Sequence, residues 1–126
     1  MQKIQLTKCV AIAGTLFTTL LLTAGTATAQ SKIPEREQSY CMATLTAETP
    51  GSQINLRSGP SANYQKQGYG LVGDRVHLLR SIPNGDANTL AVNQDRQGFD
   101  WYRVGFPKSG ARGWIRADFL MPECFN

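Results

Sequence analysis

The sequence predicts an all-β domain, because short alternating or apolar runs are separated by turn-forming residues. After the first 29 residues, no run keeps a helical repeat for 10 residues or more. Six segments are expected to form strands, namely 41–47, 54–56, 68–72, 75–80, 100–106 and 113–116. Strands this short and this numerous favour a curled sheet over a flat, open one.

The N-terminal 29 residues are typical of a cleaved export signal. Lys3 and Lys8 precede an uncharged run over 9–24, and a small-x-small motif then ends at Ala29. The run of 16 residues is shorter than the roughly 20 that a membrane-spanning helix needs. We therefore expect cleavage after Ala29 and a secreted or periplasmic protein without a membrane span, beginning at Gln30. A retained N-terminal anchor is the alternative.

The charge balance gives no indication of a nucleic-acid partner. The chain has 13 Lys and Arg against 9 Asp and Glu, and loss of the signal, with Lys3 and Lys8, leaves 11 against 9. A formal charge of +2 is weak beside the clustered basic face that nucleic acids usually require. The remaining 97 residues form one domain, which buries only about 60–65% of its unfolded surface. A covalent link would add to the stability of so small a core.

Two cysteines supply a candidate for that link. Cys9 leaves with the signal, while Cys41 and Cys124 bracket the rest of the chain. In an oxidising compartment this pattern predicts a disulfide. Closing a loop of about 83 residues stabilises a fold by roughly 4–5 kcal/mol in the chain-entropy model. A metal pair and a catalytic thiol are the alternatives, but zinc needs three or four clustered ligands and His77 is the only histidine.

A polar segment precedes the predicted strands. Residues 30–40 are mostly polar, contain Pro34 and show no periodic apolar face, which indicates a flexible arm. The domain is expected to cover 41–124.

Turn signals predict how the strands connect. The Gly-Asp pair at 73–74 suits a tight reversal, so the segments 68–72 and 75–80 are expected to form one hairpin. The segment 83–100 is long for a loop in so small a domain, and an extension of a hairpin is the favoured interpretation. The last two predicted strands are joined by PKSGAR, in which Gly110 offers a positive φ.

A further turn follows the short strand at 54–56. Ser58, Gly59 and Pro60 are expected to be structural. Gly59 would adopt a backbone shape closed to other residues, Pro60 would fix the exit, and Ser58 would hold the turn by a side-chain hydrogen bond. Arg57 either donates hydrogen bonds to the backbone carbonyls of this loop or binds a carboxylate of a ligand. Tyr64 is the better candidate for contact with a ligand.

Four motifs in order carry a resemblance to a known family. They are NLRSGPS at 55–61, GDRV at 73–76, WYRV at 101–104 and GWI at 113–115. Together they resemble the bacterial SH3-like domain of cell-envelope proteins, over about 43–120, and the chain is similar to single-domain secreted examples from cyanobacteria. The segment 83–100 departs from the shorter loop of the commonest bacterial members.

The resemblance implies a small, partly open SH3-like barrel of five to seven short strands that binds a partner without catalysing a reaction. Relatives commonly hold peptidoglycan or its cross-bridge peptides, so peptidoglycan or a wall-associated peptide is the expected ligand. The alternative is a structural domain that contacts another envelope protein or peptide and has no affinity for the wall. No cofactor is implied.

Exposed aromatic side chains are the expected contact residues, because such rings offer apolar area at little entropic cost. Along 100–106, Val104 is the expected core residue, so Trp101 and Arg103 should lie towards the surface. The segments WYRV at 101–104 and GWIRADFL at 113–120 also resemble the two that supply groove aromatics in eukaryotic SH3 domains. That resemblance would bring Trp101 and Phe119 into one groove, with Tyr64 or Tyr69 from the facing loop. The alternative is that the rings plug the ends of the barrel.

One position in this groove argues against a proline-rich ligand, because Arg116 stands where those domains usually carry a proline.

Catalytic and metal sites are not indicated. His77 lies on the strand face opposite Val76 and Leu78 and is expected at the surface, without a nucleophile in a recognisable motif. Oxygen-bearing side chains are frequent in and beside the 83–100 segment, namely Asn84, Asp86, Asn88, Asn93, Asp95 and Asp100. They lack the spacing of a calcium loop, so a solvated loop is expected in place of a metal site.

Overall fold

Eight strands and two 3₁₀ helices make up the part of the chain that the structure describes. The computed structural model describes residues 30–81 and 86–125, so the predicted export signal and its cut lie outside the described residues. The strands are β1 (Gln38–Leu45), β2 (Gln53–Arg57), β3 (Lys66–Leu71), β4 (Arg75–Leu79), β5 (Val92–Gln94), β6 (Asp100–Gly105), β7 (Arg112–Arg116) and β8 (Leu120–Cys124). The 3₁₀ helices are Glu35–Glu37 and Ala117–Phe119. The all-β prediction is confirmed.

All eight strands belong to one antiparallel sheet with the order β3-β2-β7-β6-β4-β1-β8, and β5 pairs with β6 beside this path. Among the described residues, no strand ladder joins β3 to β8, so the sheet does not close into a barrel. It curls far enough that a Cβ added at Gly70 of β3 would overlap the side chain of Leu45 in β1. This agrees with the small, partly open SH3-like fold that the resemblance implied, although the sheet has eight strands where five to seven were expected.

The concave side of the curled sheet holds a single core. Its buried members come from strands β1, β2, β4, β6, β7 and β8, and alternation places every second residue of a strand on this side. They are Cys41, Ala43, Leu45, Ile54, Leu56, Val76, Leu78, Val104, Ile115 and Leu120. Each large aliphatic side chain buried here stabilises the fold by about 1.5–3 kcal/mol. The prediction that Val104 belongs to the core is confirmed.

The predicted hairpin between 68–72 and 75–80 is wrong. β3 pairs with β2, whereas β4 pairs with β1 and β6. Gly73 does make a tight turn, with φ of +97°. However, its N–H donates to the carbonyl of Leu45, and the N–H of Leu45 donates to the carbonyl of Asp74, both at 2.8 Å. These bonds fasten the turn to the end of β1, so the chain leaves β3 for another part of the sheet.

The predicted flexible arm over 30–40 is also wrong, because this segment packs on the outer side of the sheet. Ile33 is only 1% exposed and lies against Gly105, where an added Cβ would come within 2.7 Å of its side chain. The N–H of Lys32 donates to the carbonyl of Pro107 at 2.7 Å. The side chain of Ile33 and the backbone bond of Lys32 therefore both anchor this mostly polar segment.

An ion pair strengthens this attachment. The guanidinium of Arg112 donates two hydrogen bonds to the carboxylate of Glu37, at 2.6 and 3.0 Å. The pair holds the pKa of Glu37 below its ordinary value, because a bidentate guanidinium stabilises the charged form of a carboxyl group.

The packed segment buries His77, which the sequence placed at the surface. His77 is 8% exposed, and its Nε2 lies 2.9 Å from Oγ of Ser31. Removal from water lowers the pKa of His77, because burial disfavours the charged imidazolium. The alternation along β4 is as expected, but both faces of this central strand are covered.

Two other features of the fold follow the sequence. Cys41 and Cys124 form the predicted disulfide and face each other on β1 and β8. β5 pairs with the first half of β6, so the described part of 83–100 extends a hairpin as expected. Strand β8 was missed, because Pro122 argues against a strand in the interior of a sheet, and β8 lies at the sheet edge.

Candidate functional site

A groove with aromatic walls lies where β2, β6, β7 and the second 3₁₀ helix meet. We call it the aromatic groove. It has a volume of about 260 Å³ and is lined by Gln53, Ile54, Asn55, Arg57, Ala62, Trp101, Arg116 and Phe119. The structure thus brings together Trp101 and Phe119, which the sequence analysis placed in one groove.

Trp101 is more deeply placed than predicted. It is 5% exposed, so the prediction that it lies towards the surface is wrong. Its indole Nε1–H donates to Oδ2 of Asp95 at 2.9 Å, which satisfies the only polar group of the ring. Trp101 therefore forms a fixed part of the groove and presents to a ligand only the small part of its apolar ring that is exposed, without a free donor.

Arg116, the residue that was expected to disfavour a proline-rich ligand, lies between two aromatic rings. Its guanidinium carbon lies 4.3 Å from the ring centroid of Phe99 and 5.3 Å from that of Phe119. Both nitrogens Nε and Nη2 also donate to the carboxylate of Asp118, at 2.6 and 2.8 Å. The groove is consequently cationic and aromatic where a proline-binding groove is apolar.

Asp95 fixes one side of the site. Its Oδ1 accepts hydrogen bonds from the backbone N–H groups of Gln97 and Phe99, at 2.9 and 3.0 Å. Gly98 completes this turn with φ of +92°. The indole of Trp101, together with these backbone donors, holds the pKa of Asp95 below its ordinary value. One carboxylate thus closes the β5–β6 turn and joins it to the groove.

The facing loop is held differently from the way the sequence suggested. Gly59 is absent from the glycines with positive φ among the described residues. It is needed because the ring of Tyr64 lies against it, and an added Cβ would come within 2.5 Å of ring carbon Cε1. The side chain that supports the turn is Ser61, whose Oγ accepts the N–H of Asn63 at 3.0 Å, and not Ser58 as predicted.

Arg57 makes the contact with the loop that was considered for it and also lines the aromatic groove. Its Nη1 donates to the carbonyl of Tyr64 at 3.3 Å, which ties the loop to β2. The same side chain lines the aromatic groove. Pro60, expected to fix the exit of the turn, lies at the start of the next depression.

That depression adjoins the aromatic groove at Ala62, which lines both. We call it the polar cleft. Its volume is about 730 Å³, within the range of small-molecule sites. It is lined by Pro60, Ser61, Ala62, Asn63, Tyr64, Gln94, Asp95, Arg96 and Gln97. Residues 60–64 form its loop wall, and residues 94–97 at the tip of the β5–β6 hairpin form its hairpin wall.

Tyr69 and Arg103 do not line either depression. Tyr69 is half exposed on β3, 5.7 Å from the Lys66 ammonium, and faces Asn55 of the groove across the strand pair. Arg103 lies opposite Trp114 on β7. Its Nη1 is buried and makes no hydrogen bond to another described residue. Of the five predicted contact residues, only Tyr64, Trp101 and Phe119 line the two depressions.

Sequence reasoning missed the roles of Asp95 and Phe99. Both lie in the 83–100 segment, and Asp and Gly are common in this segment as they are in any solvated loop. The available signal was the order Asp95, Gly98, Trp101, because an aspartate before a glycine turn commonly accepts backbone N–H groups. That local rule does not predict the hydrogen bond from the indole of Trp101 to Asp95.

Two described acidic residues of this segment, Asp86 and Asp95, have hydrogen-bonding partners of their own. Asp86 accepts the N–H of Asn88 and the hydroxyl of Thr89. Among residues 30–81 and 86–125, no three His, Cys, Asp or Glu side chains converge in a set that could hold a metal ion. Asn84 lies outside these ranges. Within them, no helix combines the length and apolarity needed to cross a membrane.

The fold and the two adjoining depressions define a small β domain with a ligand-binding surface. The chain belongs to the bacterial SH3 domain family, whose model matches residues 52–121, more than half of the chain. This match runs from just before β2 into β8 and confirms the resemblance. Members of the family commonly act as binding modules and are generally non-catalytic. No curated protein and no solved structure matches the chain significantly.

Proposed function

We propose that this domain binds peptidoglycan through a peptide that lies in the aromatic groove. The observation that carries the proposal is the convergence of Trp101, Phe119 and Arg57 on one groove. Two aromatic rings provide apolar contact area, and a guanidinium at the rim provides a partner for a carboxylate. The peptides of bacterial walls carry free carboxylates and small apolar side chains, so they match this chemistry.

The groove disfavours proline-rich peptides. Arg116 lies between the rings of Phe99 and Phe119 and is paired with Asp118. Its planar group fills the space where an apolar rib of a proline helix would pack. A ligand with an anionic group gains from the guanidinium of Arg57, which is not paired with a carboxylate of a described residue, whereas a neutral proline helix does not.

Co-sedimentation with purified sacculi tests the proposal. We expect the wild-type domain to pellet and the Phe119→Ala variant to stay largely in the supernatant. Phe119 is preferable to Trp101 for this test, because Trp101 is buried and its removal would also disturb the fold. Tyr40→Ala is the matched control, since Tyr40 is an aromatic residue that is 46% exposed and lines neither depression. Wild-type protein that remains in the supernatant would overturn the proposal.

A second candidate function is contact with another envelope protein, without affinity for the wall. Tyr40 and Phe125 favour it, because both are about half exposed and they meet where the N–H of Phe125 donates to the Tyr40 carbonyl at 2.7 Å. In that case sacculi would not retain the domain. A Phe125→Ala variant would then lose a partner captured by the wild-type domain.

We also propose that the chain is exported. A disulfide between Cys41 and Cys124 is compatible with an oxidising compartment. The intact mass of the protein recovered from the envelope or medium tests this point. The expected mass is that of a chain beginning at Gln30 with two fewer hydrogens than the dithiol form.

A further inference from the structure

The polar cleft differs in chemistry from the aromatic groove beside it. Its walls carry amides and a hydroxyl from Ser61, Asn63, Gln94 and Gln97, together with one aromatic ring, that of Tyr64. We propose that this cleft is a saccharide subsite that takes a glycan with hydroxyl and acetamido groups. The choice of an acetamido sugar rests on the proposed function, whereas the saccharide class rests on the cleft itself.

Two of the three amide side chains of the cleft are available to a ligand, because only that of Gln94 is already bonded, to the carbonyl of Gly98 at 3.2 Å. The side chains of Asn63 and Gln97 make no hydrogen bond to another described residue. An amide offers two donors and one acceptor oxygen, and a sugar hydroxyl is likewise both donor and acceptor. Amides on both walls can therefore bind the same ring from two sides. They do so without a charge that must first be stripped of water.

Tyr64 supplies the apolar half of such a site. Its ring lies against Gly59, and the residue is 49% exposed. A pyranose ring has one face made of C–H groups, and such a face packs well on an aromatic ring. The ring has this position without a ligand, so binding does not have to create the apolar surface.

The hairpin wall is equally fixed before a ligand arrives. Asp95 accepts three hydrogen bonds, from Gln97, Phe99 and Trp101, and these hold the tip of the hairpin in one shape. Its carboxylate is thereby occupied, which leaves Arg96 as the charged side chain of the cleft without a partner among the described residues. A site with one such charge and several amides favours a mostly uncharged ligand.

The two depressions meet at Ala62, so a glycan in the cleft and a peptide in the groove would lie side by side. Peptidoglycan joins these two chemistries covalently. The cleft thus adds a second contact with the same polymer, and two linked contacts raise the overall affinity more than either alone.

Titration of the ¹⁵N-labelled domain with a soluble N-acetylglucosamine tetramer tests the saccharide subsite. We expect amide shifts at 61–64 and 94–98, and few at β7 or the second 3₁₀ helix. Tyr64→Ala should lower the affinity about tenfold, the loss expected when one aromatic contact is removed. Gln97→Ala provides a second variant on the opposite wall. Phe119→Ala should bind the tetramer like the wild type.

The outcomes separate the two proposals. An absence of tetramer binding, an unchanged affinity in both cleft variants, or shifts confined to the aromatic groove would each overturn the saccharide subsite. Preferential shifts in the cleft with a soluble wall peptide would also overturn it and assign the cleft to peptide. If sacculi still retain the wild type but not Phe119→Ala in those cases, the proposed function stands. Binding of the tetramer without binding to sacculi would support the saccharide subsite and overturn the proposed function.

Discussion

Different kinds of interaction stabilise the two walls of the polar cleft. In the hairpin wall, one carboxylate, Asp95, accepts hydrogen bonds from two backbone groups and from Trp101. In the loop wall, the ring of Tyr64 rests on Gly59, and Arg57 bonds a carbonyl. The first arrangement depends on charge and on a buried donor, and the second on shape. Single substitutions should therefore affect the walls in different ways.

The largest expected effect comes from a site outside both walls. Replacing Cys41 and Cys124 by serine opens a loop of 83 residues, which should lower the free energy of unfolding by about 4 kcal/mol. Because the bond joins β1 to β8, both walls should survive in the molecules that remain folded. Urea unfolding measures the loss, and tetramer affinity at low temperature should match the wild type. A changed affinity would contradict the independence of the walls.

Asp95→Asn should produce the next largest effect, on the hairpin wall alone. An amide has only one acceptor oxygen, so it cannot accept from Trp101 and from the backbone N–H groups at the same time, and in either orientation a donor loses its partner. We expect the melting temperature to fall by about 5–10 °C. Asp86→Asn is the matched control, because Asp86 caps a turn without a tryptophan partner. Equal losses in the two variants would contradict the role given to Trp101.

The free energy of unfolding should depend on pH through Asp95 in the hairpin wall and through His77 outside both walls. The pKa of Asp95 is lowered from 3.8, so the stability it contributes is present above that pH and is lost as the pH falls through its folded value. The pKa of His77 is lowered from 6.5 by burial. The unfolded chain therefore binds a proton first as the pH falls below about 6.5, and stability declines there.

Urea unfolding at pH 7 and pH 5 checks this prediction. The slope from one histidine cannot exceed about 1.4 kcal/mol per pH unit. His77→Gln should remove the decline, because glutamine does not titrate. A decline that persists in this variant would assign it to another group.

Gly59→Ala should have the smallest effect on stability, and it tests whether the loop wall can relax where the hairpin wall cannot. An added Cβ overlaps the ring of Tyr64, but this ring is half exposed and can turn away. We expect the free energy of unfolding to change by less than about 1 kcal/mol, while tetramer affinity falls as in Tyr64→Ala. A loss of stability similar to that of Asp95→Asn would show that the loop wall cannot relax.

Local patterns predicted much of this fold but failed where a neighbour in space decides the outcome. Alternation placed His77 on the outer face of β4, yet the Ile33 segment covers that face. The glycine at 59 indicated a turn, although its requirement comes from the ring of Tyr64. Trp101 was placed in the groove by resemblance, but its depth follows from Asp95, six positions earlier, which no strand pattern connects to it.

The sequence by itself determined the all-β class, the cysteine pair and the family, because these depend on residue periods, counts and short motifs that need no neighbours. The tertiary structure alone decided the pairing of β3 with β2, the burial of His77 and the meeting of the loop at 60–64 with the hairpin tip at 94–97. Those features arise from contacts between distant segments, which form only once the sheet has curled around its core. The polar cleft belongs to this second group.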